Sequence, residues 1–450
     1  MFKNKPISKV LLAIVSLIIT FFVWQQGLKD SLDRPSVSFD ISQKEIEITE
    51  LAMPAVPNDL KNIILNTSRE EMKNTLSKVS FNELTERNKL IWLILQNHDE
   101  KLDEYYFSDF KEEVYKNTSE NLYKLYLDGS YKASSEIIND LKNDKYLANL
   151  LIEKFDLKDE NIITPRLAKV MFFKLIIIRT IPLATILIGS FFVLKALWRF
   201  FREKTINWEE NQPLNLNLLD MVLLISGGFV VLGEVISPLI SITLIDLFSN
   251  NLSTEISQSL KIFFGYLFMA LPPLYIVYRQ IKYVNKEFIL EKDYFQFNYK
   301  PIKESIYQGV KGWIMIIPFV LLTSLLMNLL VENQVGSNPL LEIVLNNNNY
   351  FAFIILFITT TIFAPLFEET IFRGVLLPVL SRDFGKIIGI LISSFVFALA
   401  HLSLNEFPPL FVLGIGLATT RLISGRLFSS IVMHSLWNGL TFLNLFLLRT

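Results

Sequence analysis

The chain of 450 residues contains no cysteine, which excludes disulfides, thiolate zinc sites, cysteine nucleophiles and palmitoylation. Histidine is nearly absent: His98, His401 and His434 are the three positions where imidazole chemistry can occur. Charge is scarce too, at 19% of residues against about a quarter in ordinary soluble domains. The shortage is uneven. Residues 28–165 hold 18 Lys/Arg and 27 Asp/Glu, a net charge of −9, whereas the remaining 312 residues hold 25 and 17, a net charge of +8. The overall charge of −1 is therefore a cancellation and carries no information about partners. One segment is polar, acidic and of soluble type; the rest is apolar enough to dissolve in lipid, with a mean hydropathy of +0.38 over the whole chain.

The apolar runs have the length that a bilayer demands of a helix, about 20 residues. Lys3, Lys5 and Lys9 precede a run from Val10 to Trp24, and Gln25-Gln26-Gly27 follows where a signal peptide would carry a small-x-small cleavage site. Residues 1–27 are accordingly expected to be an uncleaved anchor. Further runs lie near Leu175–Trp198, Met221–Phe248, Ile262–Tyr278, Trp313–Val331, Tyr350–Phe367, Ile387–His401, Pro408–Leu422 and Phe428–Leu448. The expected fold class is all-α: a polytopic membrane protein of about nine transmembrane helices with a helical extracytoplasmic insert after the first. Basic flanks mark cytoplasmic loops. Lys3, Lys5 and Lys9 place the N-terminus inside, as do Lys195, Arg199, Arg202 and Lys204 for segment 195–215, and the basic loop 279–309. Loops 249–260 and 332–349, which lack Lys and Arg, suit the outside. The alternation puts the acidic segment 28–165 outside the cytoplasm of a cell membrane. Apolar residues at three- and four-residue spacing in Asn82–Asn97 and Ser134–Phe155 predict helices there. His98 beside Asp99 and Glu100 reads as a solvated or capping histidine, and the segment shows no catalytic constellation. A protein partner for it is expected; a nucleic acid is not.

Charge inside a membrane span is costly and marks function by default. Ala364–Pro378 places Glu368, Glu369 and Arg373 in apolar sequence. Residues four apart share a helical face while neighbours diverge, so Glu369 meets Arg373 and Glu368 is expected to stand unpaired among Ile371, Phe372 and Val375. An unpaired carboxylate in an apolar setting suits a general base or acid. Phe397 and His401 end the next apolar helix; His434 and Asn438 share a face of the last. A base (Glu368), a polar partner (His401) and two donors for an oxyanion (His434, Asn438) are the parts needed for attack of activated water on an amide. Each feature alone also fits structure: an i,i+4 ion pair, a hydrogen-bonded histidine, or polar contact between helices. Their joint occurrence within 71 residues, using two of three histidines, favours chemistry.

The set E-E-x-x-x-R, F-x-x-x-H and H-x-x-x-N, in that order on successive apolar helices and with Gly374 after the arginine, resembles the signature of the CPBP family, the type II CAAX-prenyl and bacteriocin-processing-like membrane endopeptidases (Abi family). The resemblance covers about residues 350–450 and leaves 1–349 unexplained. It implies a helical intramembrane glutamic endopeptidase without a covalent acyl-enzyme. By motif position Glu368 would be the base, His401 would help hold the water, and His434 with Asn438 would form the oxyanion site. Glu369, Arg373 and Phe397 would support them. The substrate would be a membrane protein or lipidated peptide. The family also contains members regarded as scaffolds or immunity factors, so a non-catalytic adaptor is the alternative. A transporter built around Glu234 and Pro238 is a third reading, though no inverted repeat supports it. No cofactor is expected. Zinc on the Glu/His set is the less favoured alternative, because the compact H-E-x-x-H motif is missing.

Two geometric expectations follow. Counted from the apolar runs, Glu368 and His401 fall at opposite ends of their spans, so the helix over 350–380 is expected to break or re-enter near Pro365 and Gly374. Gly414 and Ala418, four apart, should let their helix approach its neighbours closely. The expected domain order is 1–27 anchor, 28–165 acidic helical domain, 166–349 transmembrane helices and 350–450 protease core.

Overall fold

In the computed structural model, the described residues are 7–32, 37–77, 79–96, 104–128, 138, 141, 143–155, 162–204, 208–209, 216–249, 252–287, 300–330, 339–346 and 349–449. His98 and half of loop 332–349 lie outside them. Among the described residues the structure is helical throughout, with no strand. It divides into two compact units, Met1–Val37 with Pro182–Phe446, and Ser38–Ile181 with Leu447–Thr450.

Among the described residues each of the nine apolar runs forms a helix. Seven of the resulting helices are long and apolar enough to cross a membrane. The helices used below are α1 (Ile7–Leu32), α2 (Pro165–Glu203), α3 (Leu218–Thr243), α4 (Thr254–Glu287), α5 (Ile302–Leu330), α6 (Tyr350–Phe384), α7 (Lys386–Leu399), α8 (Phe407–Ser424) and α9 (Leu427–Leu447). With 14 residues, α7 is about 21 Å long and is shorter than the seven spanning candidates. α9 has 21 residues but is interrupted by His434, Trp437 and Asn438. The chain is thus a multi-pass α-helical membrane protein.

The membrane unit is built around one apolar cluster that includes Phe229, Phe367, Ile371, Phe372, Val375, Phe397, Leu413, Leu417 and Met433. Rings interlock across helices: Phe229 stacks on Phe367 with centroids 5.9 Å apart and meets Phe372 edge-on at 5.7 Å. Such pairs add about 0.5–1.5 kcal/mol each beyond area burial. α1 is tied to α3 by polar contacts. Lys9 pairs with Asp220, itself part of a capping box with Asn217, and Thr20 Oγ1 donates to the Ser226 carbonyl at 3.3 Å. At Gly414 the expected close approach is present. A Cβ there would lie 2.9 Å from Ser394 Cβ and 3.1 Å from its Cα, so only glycine lets α8 meet α7 at this distance.

The other unit packs helices Val37–Ala52, Asn58–Leu76, Glu86–Leu95, Glu113–Asp128 and Lys145–Phe155 around Ile48, Met72, Leu90, Ile91, Leu122 and Leu147. The sequence pattern over Asn82–Asn97 becomes the helix Glu86–Leu95, capped by Thr85, whose side chain accepts from Asn88 N–H. The pattern over Ser134–Phe155 becomes, in its described part, Lys145–Phe155. Arg87 binds Glu47 (2.6 and 3.1 Å) and Asp144 (2.5 and 3.2 Å) at the same time.

The break expected in 350–380 is not there. α6 is helical from Tyr350 to Phe384, and two π-helical stretches, Thr359–Phe363 and Thr370–Leu376, bracket Glu368 and Glu369. A third, Leu223–Ile236, occupies much of α3. Each ends two residues before a proline: Pro365, Pro378 and Pro238. A proline has no N–H, and its ring clashes with the carbonyl one turn back. Widening that turn separates the two and keeps the helix going. Pro182, Pro272, Pro273 and Pro318 sit inside α-helices, so proline permits the widening without dictating it.

Candidate active site

The apparent separation of Glu368 from His401 disappears once α6 is seen to run past Phe367. Gly385, with φ of +87°, turns the chain between α6 and α7, a conformation that costs glycine little. The end of α6 and α7 then pack side by side. Glu368 stands 17 residues before this turn and His401 16 residues after it, arms of about 25 and 24 Å at helical rise. The two side chains therefore reach one level, and both line a cavity of about 500 Å³ together with His434 and Asn438.

Glu369 and Arg373 are fully buried and form the expected i,i+4 pair at 2.9 Å. The same Glu369 oxygen accepts from His434 Nδ1 at 2.9 Å. Arg373 also donates to the Gly414 carbonyl at 3.2 Å and lies 4.2 Å from the centroid of the Phe397 ring. Phe397 touches both histidines edge-on, His401 at 4.8 Å and His434 at 5.8 Å between centroids. One aromatic side chain thus fixes the guanidinium and both imidazoles.

Glu368 departs from expectation. It is not without a partner, because the Tyr266 hydroxyl on α4 donates to its Oε1. A reading of one helix could not find a donor 102 residues earlier in the chain. The available signal was that a tyrosine inside the apolar run Ile262–Tyr278 must satisfy its hydroxyl somewhere in a lipid environment. Glu368 Oε2 makes no protein hydrogen bond and lies 3.9 Å from His434 Nε2.

Tautomers follow from the partners. His401 Nδ1 lies 2.8 Å from the Phe397 carbonyl. A carbonyl can only accept, so Nδ1 carries the proton, and in the neutral ring Nε2 is an acceptor. His434 Nδ1 donates to Glu369 in the same way, so His434 donates through Nε2 when it carries both ring protons.

Asn438 is placed by the π-helix. Ala364 N–H bonds the Thr359 carbonyl five residues back. The next carbonyl in that series, Thr360, would look to residue 365, which is a proline without an N–H. Asn438 Nδ2 supplies the donor at 2.8 Å, leaving the second amide N–H for the cavity. Among the described residues no group of three or more His, Asp or Glu side chains is arranged to hold a metal ion.

Carboxylates, imidazoles and an amide thus converge on one cavity of a polytopic helical membrane protein. Residues 350–440 match the family model described as type II CAAX prenyl endopeptidase, Rce1-like. Residues 38–173 match a model described only as a domain of unknown function. No curated protein and no solved structure matches the chain.

Proposed function

We propose that the protein is an intramembrane endopeptidase that hydrolyses a peptide bond of a membrane-associated polypeptide, prenylated or not, with water activated by Glu368. The observation that carries this reading is the convergence of Glu368, His401, His434 and Asn438 on one cavity. Tyr266 fixes Oε1 of Glu368 and directs Oε2 toward His434. Glu368 takes one proton from water while His401 Nε2 accepts the other O–H. The water oxygen bonds to the scissile carbonyl carbon, and the resulting oxyanion receives hydrogen bonds from His434 Nε2–H and the Asn438 amide. Glu369 accepts from both protonated His434 and Arg373, and the net positive charge of this trio offsets that of the oxyanion. As the C–N bond breaks, Glu368 returns its proton to the leaving amine and is regenerated as a carboxylate. No acyl-enzyme forms.

By the same reading the N-terminus is cytoplasmic and segment 28–165 extracytoplasmic in a cell membrane, and that segment recruits a protein partner. The test uses purified full-length protein in detergent with quenched-fluorescence peptide panels, prenylated and unprenylated. Glu368→Gln keeps the side chain's size and removes the base; cleavage should fall by about 10²–10⁴-fold. Cleavage at the unsubstituted rate would overturn the mechanism. Treatment with 1,10-phenanthroline should leave the rate unchanged, whereas inhibition reversed by added zinc would move water activation to a metal.

A further inference from the structure

Glu234 is a half-buried carboxylate within the spans that the proposed hydrolysis does not use. It sits on α3, in the long π-helical stretch Leu223–Ile236, and lines the same cavity as Glu368. Its Oε2 accepts from the Trp24 indole N–H at 3.3 Å, a long hydrogen bond that occupies one of about four acceptor positions on a carboxylate. Among the described residues no cation pairs with it. Carboxylates within spans normally pair with one another, with a backbone group, or with what passes through the cavity they face.

Three features mark this as a built subsite. First, among the described residues the cavity is lined by three carboxylates, Glu234, Glu368 and Glu406, and by no lysine or arginine. Second, π-helical stretches are rare and concentrate at functional sites; the two in α6 bracket Glu368, and the third carries Glu234. Third, the Glu234 stretch is locked to the Glu368 helix through Phe229, which stacks on Phe367, meets Phe372 edge-on and also lines the cavity. The distance between the two carboxylates is therefore set by a rigid aromatic contact.

We propose that Glu234, oriented by Trp24, is a specificity-determining subsite that receives a cationic side chain of the substrate, an ammonium or guanidinium near the scissile bond. This rests on the hydrolase reading of the cavity and adds the substrate class: a polypeptide with an apolar segment carrying a basic residue.

The test separates the two ideas by measuring binding apart from cleavage. Full-length protein carrying Glu368→Gln, in an uncharged detergent, is titrated with fluorescein-labelled apolar peptides identical except for one residue: Lys, Arg, norleucine or Glu. Empty micelles provide the baseline. The Lys and Arg peptides should bind about tenfold or more tightly than the norleucine peptide, the usual scale for a hydrogen bond to a charged group. Adding Glu234→Gln should bring that ratio to about one, and Trp24→Phe should reduce it part-way. Glu234→Lys should reverse the order in favour of the Glu peptide. A ratio of one in the Glu234 protein overturns the subsite, as does a Glu234→Gln effect that weakens all four peptides equally, the mark of a purely structural role. A charge preference without cleavage by the unsubstituted protein would keep the subsite and defeat the hydrolase. Cleavage without charge preference would do the reverse.

Discussion

Glu368 is held by a phenol at one oxygen and faces an imidazole with the other. Tyr266 lies outside the matched segment 350–440, so motif-based selection of site residues passes over it. Removing its hydroxyl frees the carboxylate to rotate away from the geometry that the proposed water activation requires. Tyr266→Phe should lower kcat about 10–100-fold, the cost of one hydrogen bond to a charged group, with a smaller change in KM. Equal kcat in the two proteins would show that the phenol does not position the base. His401→Phe would retain the edge-on contact with Phe397 and lose the Nε2 acceptor; the fall in kcat should approach that of Glu368→Gln, with folding preserved in thermal unfolding.

At the level of the helix, the feature that places Asn438 is a proline 73 residues earlier in the chain. Pro365 withholds the N–H that Thr360 would otherwise accept, and Asn438 takes its place. Pro365→Ala restores the backbone donor, so the Thr360 carbonyl no longer requires the amide. Cleavage should fall about tenfold or more, as for a displaced oxyanion donor, while the thermal midpoint holds or rises, because alanine suits a helix interior better than proline. A loss of stability with unchanged turnover would refute this coupling. The spacing of Glu369, Arg373, Phe397, His401, His434 and Asn438 along apolar helices was legible in the sequence because each pair is a local i,i+4 relation. The prolines were legible as disturbances, but their outcome was not. Whether a helix breaks or widens depends on the neighbour that accepts the stranded carbonyl, and that neighbour is distant in the chain.

Across the molecule, hydropathy and charge set an acidic segment at 28–165 apart from an apolar body, since both are sums over many residues; the two compact units divide at 37/38 and 181/182. What they could not reveal was the far end of α6. The apolar run stops at Phe367 where the carboxylates begin, whereas the helix continues to Phe384 because Glu369 and Arg373 neutralise each other in the interior. Within the acidic unit, the same logic of paired burial appears at Arg87. Burial alone would lower its pKa, but Glu47 and Asp144 outweigh that and raise it, keeping the guanidinium charged. Arg87→Met leaves Glu47, which is fully buried, without its cation. This should destabilise the unit by about 3 kcal/mol, the low end for a broken buried pair since Arg87 is 24% exposed. Denaturant or thermal unfolding followed through Trp92 fluorescence reads the change. A midpoint equal to that of the unsubstituted protein would mean the pair carries no net stability.

The hairpin at Gly385 also sets which insertions and deletions the chain can absorb. One residue added to either arm slides Glu368 past His401 by about 1.5 Å and turns the inserted side of the hairpin by about 100°. A single such change therefore turns Glu368 or His401 away from the cavity they share. Compensated changes, one in each arm, keep the two level but still rotate both faces. The turn itself lies at the far end of both arms and is free of these constraints. Drift in length should accumulate there and in the loops beyond α7, while the 17 and 16 residues between turn and site behave as a calibrated pair.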